Sequence, residues 1–329
     1  MHRLKTWLVR LVALAAILVA GGLGYLMAAF PKVGAAPDVT APTSAEAIAR
    51  GQYLSDHVSM CTDCHTPRDW TRFAGPVEAA HFGAGGEIFD ESMGLPGTIV
   101  SRNITPAGLA AWTDGEILRA FTEGVSKDGT SLFPLMPYHA YGTMDRGDAL
   151  AIVAYLRTLA PKTLPEPLPE RQLHFPVSLL VRTLPTPAHF APKPATSDRV
   201  AYGKYLATIG GCAECHTPVD ESRSPQLDRA FAGGQEFVMP GGAVARTANL
   251  TPHETGLGAW TEAQFIERFR SFRDDTAFVP VSAGQANTPM PWGPYAGMTD
   301  EDLQAIYAYL RTVPPVPNRV VTLSAARRG

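Results

Sequence analysis

The sequence predicts an all-α fold, in which one helical unit is written twice behind an amino-terminal apolar segment. Three observations carry this. The same ordered set of short blocks occurs twice along the chain, the clear apolar periodicities are helical, and no long alternating strand pattern is present.

The first element is residues 1–30. Arg3, Lys5 and Arg10 precede a run without charge from Leu11 to Phe30, about the length that crosses a bilayer. The positive-inside rule places the amino terminus in the cytoplasm and the rest of the chain outside. A cleaved signal peptide is the competing reading, with small residues at Ala28–Ala29 and Gly34–Ala36 for a cleavage site. The length of the run favours a retained anchor. No Cys lies near it, which speaks against a lipid-modified terminus.

The two units are predicted over 31–159 and 197–329. Gly51-Gln-Tyr53-Leu54 recurs as Gly203-Lys-Tyr205-Leu206, and Asn103-Ile-Thr-Pro106 as Asn249-Leu-Thr-Pro252. Met136-Pro-Tyr returns as Met290-Pro-Trp, and Ala154-Tyr-Leu-Arg-Thr as Ala308-Tyr-Leu-Arg-Thr. Thr43 with Glu46 reads as a capping box opening the first helix of the first unit. Residues Trp112 to Thr122 form a second helix candidate. The closing helix is the clearest, with Leu303, Ile306, Tyr307 and Leu310 on one face and Ile152, Val153 and Leu156 on its twin. Residues 160–196 hold nine prolines and read as a semi-rigid linker. Its apolar stretch Phe175–Leu184 either packs on one unit or touches a membrane or partner.

All four Cys belong to two motifs, Cys61-Thr-Asp-Cys64-His65 and Cys212-Ala-Glu-Cys215-His216. Cys-x-x-Cys-His is the attachment signature of c-type haem. Two thiols on one turn bond the porphyrin vinyl groups, and the following His is the proximal iron ligand. A zinc site would pair its Cys-x-x-Cys motifs more closely, and a thioredoxin-like site would need a βαβ setting. Neither explains a His after both pairs. The chain thus predicts two covalently bound haem c groups on Cys61, Cys64, His65 and Cys212, Cys215, His216.

Two Met pairs offer the opposite iron ligand. Met144 and Met298 stand just before helix N-caps, where a hydrophobic staple belongs, and read as packing residues. Met136 and Met290 each precede a Pro in a loop, and are the predicted ligands. His139 is a rival in the first unit, but its counterpart is Gly293. His57, His81, His174, His189 and His253 have no matching His in the other unit and read as surface or structural residues. Trp112 and Trp260 read as core residues whose indole N–H could reach a haem propionate. Asn103 and Asn249 either serve that polar end or cap a turn. His/Met ligation raises the reduction potential and leaves no open iron position.

On these motifs the chain resembles the multi-haem cytochrome c subunits of membrane-bound periplasmic dehydrogenases for alcohols, gluconate and aldehydes. The resemblance rests on Cys-x-x-Cys-His-Thr-Pro, the Asn-(Ile/Leu)-Thr-Pro and Trp-Thr blocks, Met-Pro-(Tyr/Trp) and the Ala-Tyr-Leu-Arg helix. It covers roughly residues 45–315. It implies two tandem class I cytochrome c domains, an electron-donating dehydrogenase subunit, and a quinone, cytochrome or oxidase as acceptor. Many such subunits carry three haems and a carboxy-terminal anchor, whereas this chain has two motifs and an amino-terminal segment. Competing readings are a dihaem peroxidase, which needs a displaceable ligand, and the cytochrome subunit of an oxidase or quinol-oxidising complex. A net charge of −3 gives no basic footprint for nucleic acid, and no catalytic constellation is legible. The expected location is the cytoplasmic membrane, with the haem units on the periplasmic side.

Overall fold

The structure, a computed structural model, describes residues 2–326; Met1 and 327–329, at the ends of the first and last predicted segments, lie outside the described residues. His2–Ala29 form one helix with a mean hydropathy of 2.2 over its apolar window, none of which is buried in the fold. At 1.5 Å per residue it is about 42 Å long, enough to cross the roughly 30 Å hydrocarbon layer of a bilayer.

Each half then repeats one helical plan. An opening helix, Ala45–Tyr53 or Arg199–Ile209, leads to the Cys motif at Cys61–Cys64 or Cys212–His216. A middle helix follows at Asp114–Glu123 or Glu262–Arg270, and a closing helix at Arg146–Thr158 or Asp300–Leu310. The expected Thr43–Glu46 capping box is absent. Ser44 is the N-cap and accepts from the Ala47 N–H at 3.2 Å. The capping boxes belong to the middle helices, at Thr113 with Glu116 and Thr261 with Gln264, so the first of these starts after Trp112 rather than at it.

Opening and closing helices cross closely because both crossings carry Gly. A Cβ on Gly51 would lie 1.8 Å from the Ala151 carbonyl oxygen, and one on Gly203 would lie 1.8 Å from that of Ala305. The first half has one residue more between this Gly and its Cys motif. The structure absorbs it by widening the helix into a π-turn over Leu54–Val58, the usual outcome of a single insertion into an α-helix. Both paths then reach the Cys motif through a left-handed residue, Met60 (φ 52) and Gly211 (φ 65).

The all-α expectation needs an addition. Two three-stranded antiparallel sheets occur, β1 (Ile88–Phe89), β2 (Gly97–Val100) and β3 (Gln172–Leu173), then β4 (Glu236–Val238), β5 (Val244–Arg246) and β6 (Leu323–Ser324). Strands of two to four residues are too short to show alternation in a sequence. β3 lies inside the proline-rich stretch and pairs with β2. Further along that stretch, the His189 N–H bonds the Gly142 carbonyl and Lys193 pairs with Asp148. The proline-rich segment therefore lies along the first half.

The halves share one core. Leu54, Val58, Leu118, Met144 and Ile152 of the first belong to the same buried cluster as Leu206, Ile209, Met298, Leu303 and Leu310 of the second. Polar contacts across the seam are reciprocal. The Tyr53 hydroxyl donates to Asp302 at 2.6 Å and accepts from the Thr299 N–H at 3.1 Å. The Tyr205 hydroxyl donates to Asp148 at 2.7 Å and accepts from the Asp145 N–H at 3.4 Å. Each opening helix thus caps the other half's closing helix, the pattern of an isologous two-fold contact.

Candidate functional site

Both Cys motifs occupy short helical turns, with Cys61 and Cys212 half-buried and Cys64 and Cys215 exposed. Burial pushes the Cys61 and Cys212 thiols up to about 12, far from the depressed values of a reactive dithiol. Among the described residues, no group of three His, Cys, Asp or Glu side chains could hold a bare metal ion.

The two His residues are held identically. The carbonyl of His65 accepts from the Gly85 N–H at 2.8 Å, and its Nδ1 faces the Arg102 carbonyl at 2.6 Å. The carbonyl of His216 accepts from the Gly233 N–H at 2.7 Å, and its Nδ1 faces the Ala248 carbonyl at 2.8 Å. A carbonyl only accepts, so Nδ1 carries the proton and Nε2 keeps its lone pair for a metal. Burial pushes both imidazoles below their ordinary value, against these carbonyl bonds. Glycine makes the clamp possible. Gly85 (φ +76) and Gly233 (φ +69) let the incoming strand pass so close that a Cβ would lie 2.5 Å from the Ser101 oxygen and 2.4 Å from the Ala248 carbonyl.

Met136 and Met290 sit half-buried against the core, immediately before Pro137 and Pro291, which open the short helices Tyr138–Tyr141 and Trp292–Ala296. Each short helix is pinned to the chain just ahead of the Cys motif. The Tyr141 hydroxyl donates to the Ser59 carbonyl at 2.6 Å, and that of Tyr295 to the Gly210 carbonyl at 2.5 Å. Met144 and Met298 are 0% and 2% exposed, packed beneath their helix starts. His139 lies exposed, its Nδ1 3.1 Å from the Thr186 hydroxyl. The other unmatched His residues vary: His57 faces the Pro294 carbonyl across the seam, while His81 and His174 pair with Glu78 and Glu91.

Asn103 and Asn249 take the turn-capping role. Each side-chain oxygen accepts from the N–H and hydroxyl of the Thr two residues on, and each amide donates to the chain after its closing helix. Trp112 packs partly on the core, but Trp260 is 37% exposed and its carbonyl accepts from Tyr307. Sequence reasoning missed the four Tyr anchors and the repeated Arg. Arg157 ties the middle region through Asp114 and the Leu109 and Trp112 carbonyls, and Arg311 does so through Leu257 and Gly258. Their recurrence in both repeats was the available signal.

The two sites differ in the charge beside them. Beside the first, Arg68 pairs at 3.2 Å with Asp63, both nearly out of solvent. Arg68 also donates to the Ala74 and Gly75 carbonyls and stacks over Trp70. The second site has the exposed Glu214 and the half-buried Val219 in these places. The two motifs approach each other: a Cβ on Gly210, two residues ahead of Cys212, would lie 3.4 Å from the carbonyl oxygen of Val58, three residues ahead of Cys61.

The residues suit covalently attached haem: paired thiols on one turn, then an imidazole with Nε2 free and its ring fixed. The sequence profile of the cytochrome c family matches residues 200–314. The chain is 32% identical, over 82% of its length and 56% of the other's, to the cytochrome c subunit of alcohol dehydrogenase (quinone) from Gluconacetobacter polyoxogenes. It is 30% identical to the fructose dehydrogenase cytochrome subunit of Gluconobacter japonicus, over 88% of this chain and 57% of that one. It is 27% identical to a diheme cytochrome c-type protein of Cereibacter sphaeroides, over 92% and 97% respectively. The chain therefore spans little more than half the length of these two dehydrogenase cytochrome subunits.

Proposed function

This chain is a relative of the cytochrome c subunits of alcohol, fructose and gluconate dehydrogenases, and from that premise we propose that it is a dihaem electron-transfer subunit. In this reading Cys61, Cys64, Cys212 and Cys215 carry the two haem c groups. His65 and His216 would hold the two irons, with Met136 and Met290 as the further protein ligand of each. Bound there, haem supplies a one-electron iron couple, raised in potential by a His/Met ligand pair.

The residues' tasks follow from the contacts above. The Gly85 and Gly233 clamps fix imidazole orientation and proton position. The Tyr141 and Tyr295 anchors hold each Met loop against its own Cys turn. The single observation that carries the reading is the doubled His clamp, with both motifs set toward one seam. Two carriers so placed suit relay through the chain better than independent turnover. The units are two tandem class I cytochrome c domains, 31–159 and 197–329, joined by 160–196. Residues 1–30 anchor them in the cytoplasmic membrane on its periplasmic side. Electrons come from a dehydrogenase's catalytic subunit and leave to quinone, a cytochrome or an oxidase.

The test is haem content and turnover of the full chain. Two haems per chain should resist acid–acetone extraction, and Cys64→Ala or Cys215→Ala should disrupt attachment at its own site alone. The protein should exchange electrons with redox dyes and turn over neither alcohols nor peroxide by itself. One covalent haem per chain refutes the dihaem reading, and enzyme-like peroxide reduction replaces it with a peroxidase.

A further inference from the structure

The proline-rich segment carries an apolar surface for which neither half supplies a cover among the described residues. Phe175, just before the short helix Val177–Leu180, is 81% exposed, and Leu180, its last residue, is 46% exposed. From His174 to Leu184 the chain has no acidic residue, and its charge-bearing side chains are His174 and Arg182. Surface Phe and Leu set singly need no explanation, but this pair has a specific neighbour.

Arg182, in the turn that follows directly, reaches the end of the amino-terminal helix. Its Nη2 donates to the Met27 carbonyl at 3.3 Å and the Phe30 carbonyl at 3.1 Å. The last carbonyls of a helix have no partner within it, and a cation there also complements the helix dipole. Arg182 thus caps the end at which the apolar helix leaves the hydrocarbon layer. The other side of the segment is tied to the first half, where β3 pairs with β2 and the His174 N–H bonds the Pro96 carbonyl. Phe175 and Leu180 lie between these two ties. The seven steps of mostly helical chain from Phe175 to Arg182 advance about 10 Å, so both apolar side chains stand within one short element of the helix end.

We infer that Phe175 to Leu180 form a second, monotopic membrane contact, resting on the reading that residues 1–30 span the bilayer. Phe175 and Leu180 enter the headgroup–acyl boundary beside the exit of the helix, and Arg182 stands at the water side of that boundary. One helix alone leaves a domain free to swing about it. A second contact fixed to the first half restricts which face of that half looks away from the membrane. The segment itself holds no acidic residue, and the Glu91 carboxylate at its start is paired with His174; with the adjacency to the helix end, this favours lipid as the occupant over a protein partner.

The experiment uses the full haem-loaded chain in vesicles of phosphatidylethanolamine and phosphatidylglycerol, 3:1. Nitroxide labels are placed on Ala16→Cys, Ser178→Cys and, as an aqueous reference, Ser222→Cys, because the native Cys residues are committed to haem. Collision rates with oxygen and with a water-soluble nickel chelate report depth. The Ser178 label should favour oxygen several-fold more than the Ser222 label, while the Ala16 label reports the bilayer interior. Phe175→Glu with Leu180→Glu should move the Ser178 label into water, with the haem spectrum and the Ala16 signal unchanged. A water-exposed Ser178 label beside a lipid-buried Ala16 label overturns the second contact, leaves the anchor standing, and turns the patch to a protein partner. A water-exposed Ala16 label overturns both. A Ser178 label that stays at depth in the double Glu variant removes Phe175 and Leu180 as the contact.

Discussion

Replacing Tyr53 by Phe should destabilise the protein more than replacing Tyr205 by Phe, although the two tyrosines hold mirrored places. Both lose one hydroxyl that donates to a buried carboxylate, at 2.6 Å to Asp302 and at 2.7 Å to Asp148. The carboxylates differ in what remains. Asp148 keeps the Arg50 guanidinium at 2.7 Å and the Lys193 ammonium at 3.0 Å. Asp302 is 7% exposed, and Tyr53 is its one side-chain donor among the described residues. Loss of a charge-assisted bond that strands a buried carboxylate costs about 2–3 kcal/mol, and loss of one donor among several about 1 kcal/mol. Each change also frees one N–H at the start of a closing helix, Thr299 held at 3.1 Å by Tyr53 and Asp145 held at the longer 3.4 Å by Tyr205. Each kcal/mol moves the unfolding midpoint by about 2 °C in a protein of this size. Thermal unfolding of the detergent-solubilised holoprotein, followed by helical circular dichroism, should place the Tyr53 variant several degrees below the Tyr205 variant. Equal losses, or the reverse order, would refute the view that the seam's energetics follow from the partners left behind.

Gly233→Ala forces a Cβ to 2.4 Å from the Ala248 carbonyl at φ +69, so it should lower the unfolding midpoint and shift the potential of the second site. Gly129→Ala, also at positive φ but with open space around it, should cost only the roughly 1–3 kcal/mol of backbone strain and leave both potentials alone. Met136→Ala and Met290→Ala should each remove one Met–iron charge-transfer band and lower one potential, whereas Met144→Ala and Met298→Ala should cost about 2–5 kcal/mol of packing and spare the spectrum. Burial pushes the Asp148 carboxyl up, but Arg50, Tyr205 and Lys193 outweigh it and hold the group below its ordinary value. The stability it contributes is therefore full above about pH 3.9, the unfolded value, and is lost as the pH falls through the lower folded value. Comparison with Asp148→Asn across an acid titration should show a gap that closes in that range.

The order of helices, the duplication and the two Cys motifs were legible because each rests on local pattern: helical periodicity, repeated blocks, and a motif five residues long. The sheets were not. β3 and β6 are two-residue strands that form only because a distant chain presents β2 or β5 to them. The cap at Ser44 was misjudged because Thr43 and Ser44 are chemically equivalent candidates, and the choice between them is made by where the chain enters the helix. The glycine at the His clamp gave no local sign, since its need arises from a strand that passes 2.4–2.5 Å from an imagined Cβ. Tyr53 and Tyr205 lay in a repeated block, yet a hydroxyl's partner across a seam is a property of the assembled halves.

The same seam makes the sites unequal in their surroundings. The loop beside the first Cys motif holds Arg68 against Asp63 and the Ala74 and Gly75 carbonyls, over Trp70, whose indole is in turn held by Glu87 at 2.7 Å. That loop does not stand alone. The Phe73 N–H bonds the Val279 carbonyl, the Val281 N–H bonds the Thr71 carbonyl, the Ala74 N–H bonds the Asn287 side chain, and Arg72 reaches the Phe278 carbonyl. A buried ion pair survives only while its remaining hydrogen bonds are met and water is kept out. Here the carbonyls that meet them belong to a loop braced by the second half. At the second site Val219 stands in the place of Arg68, so no such charge has to be held. Loosening the contact around Asn287 would therefore disturb the electrostatics of the first site before those of the second. Two halves with one plan thus set two sites apart by a single buried cation.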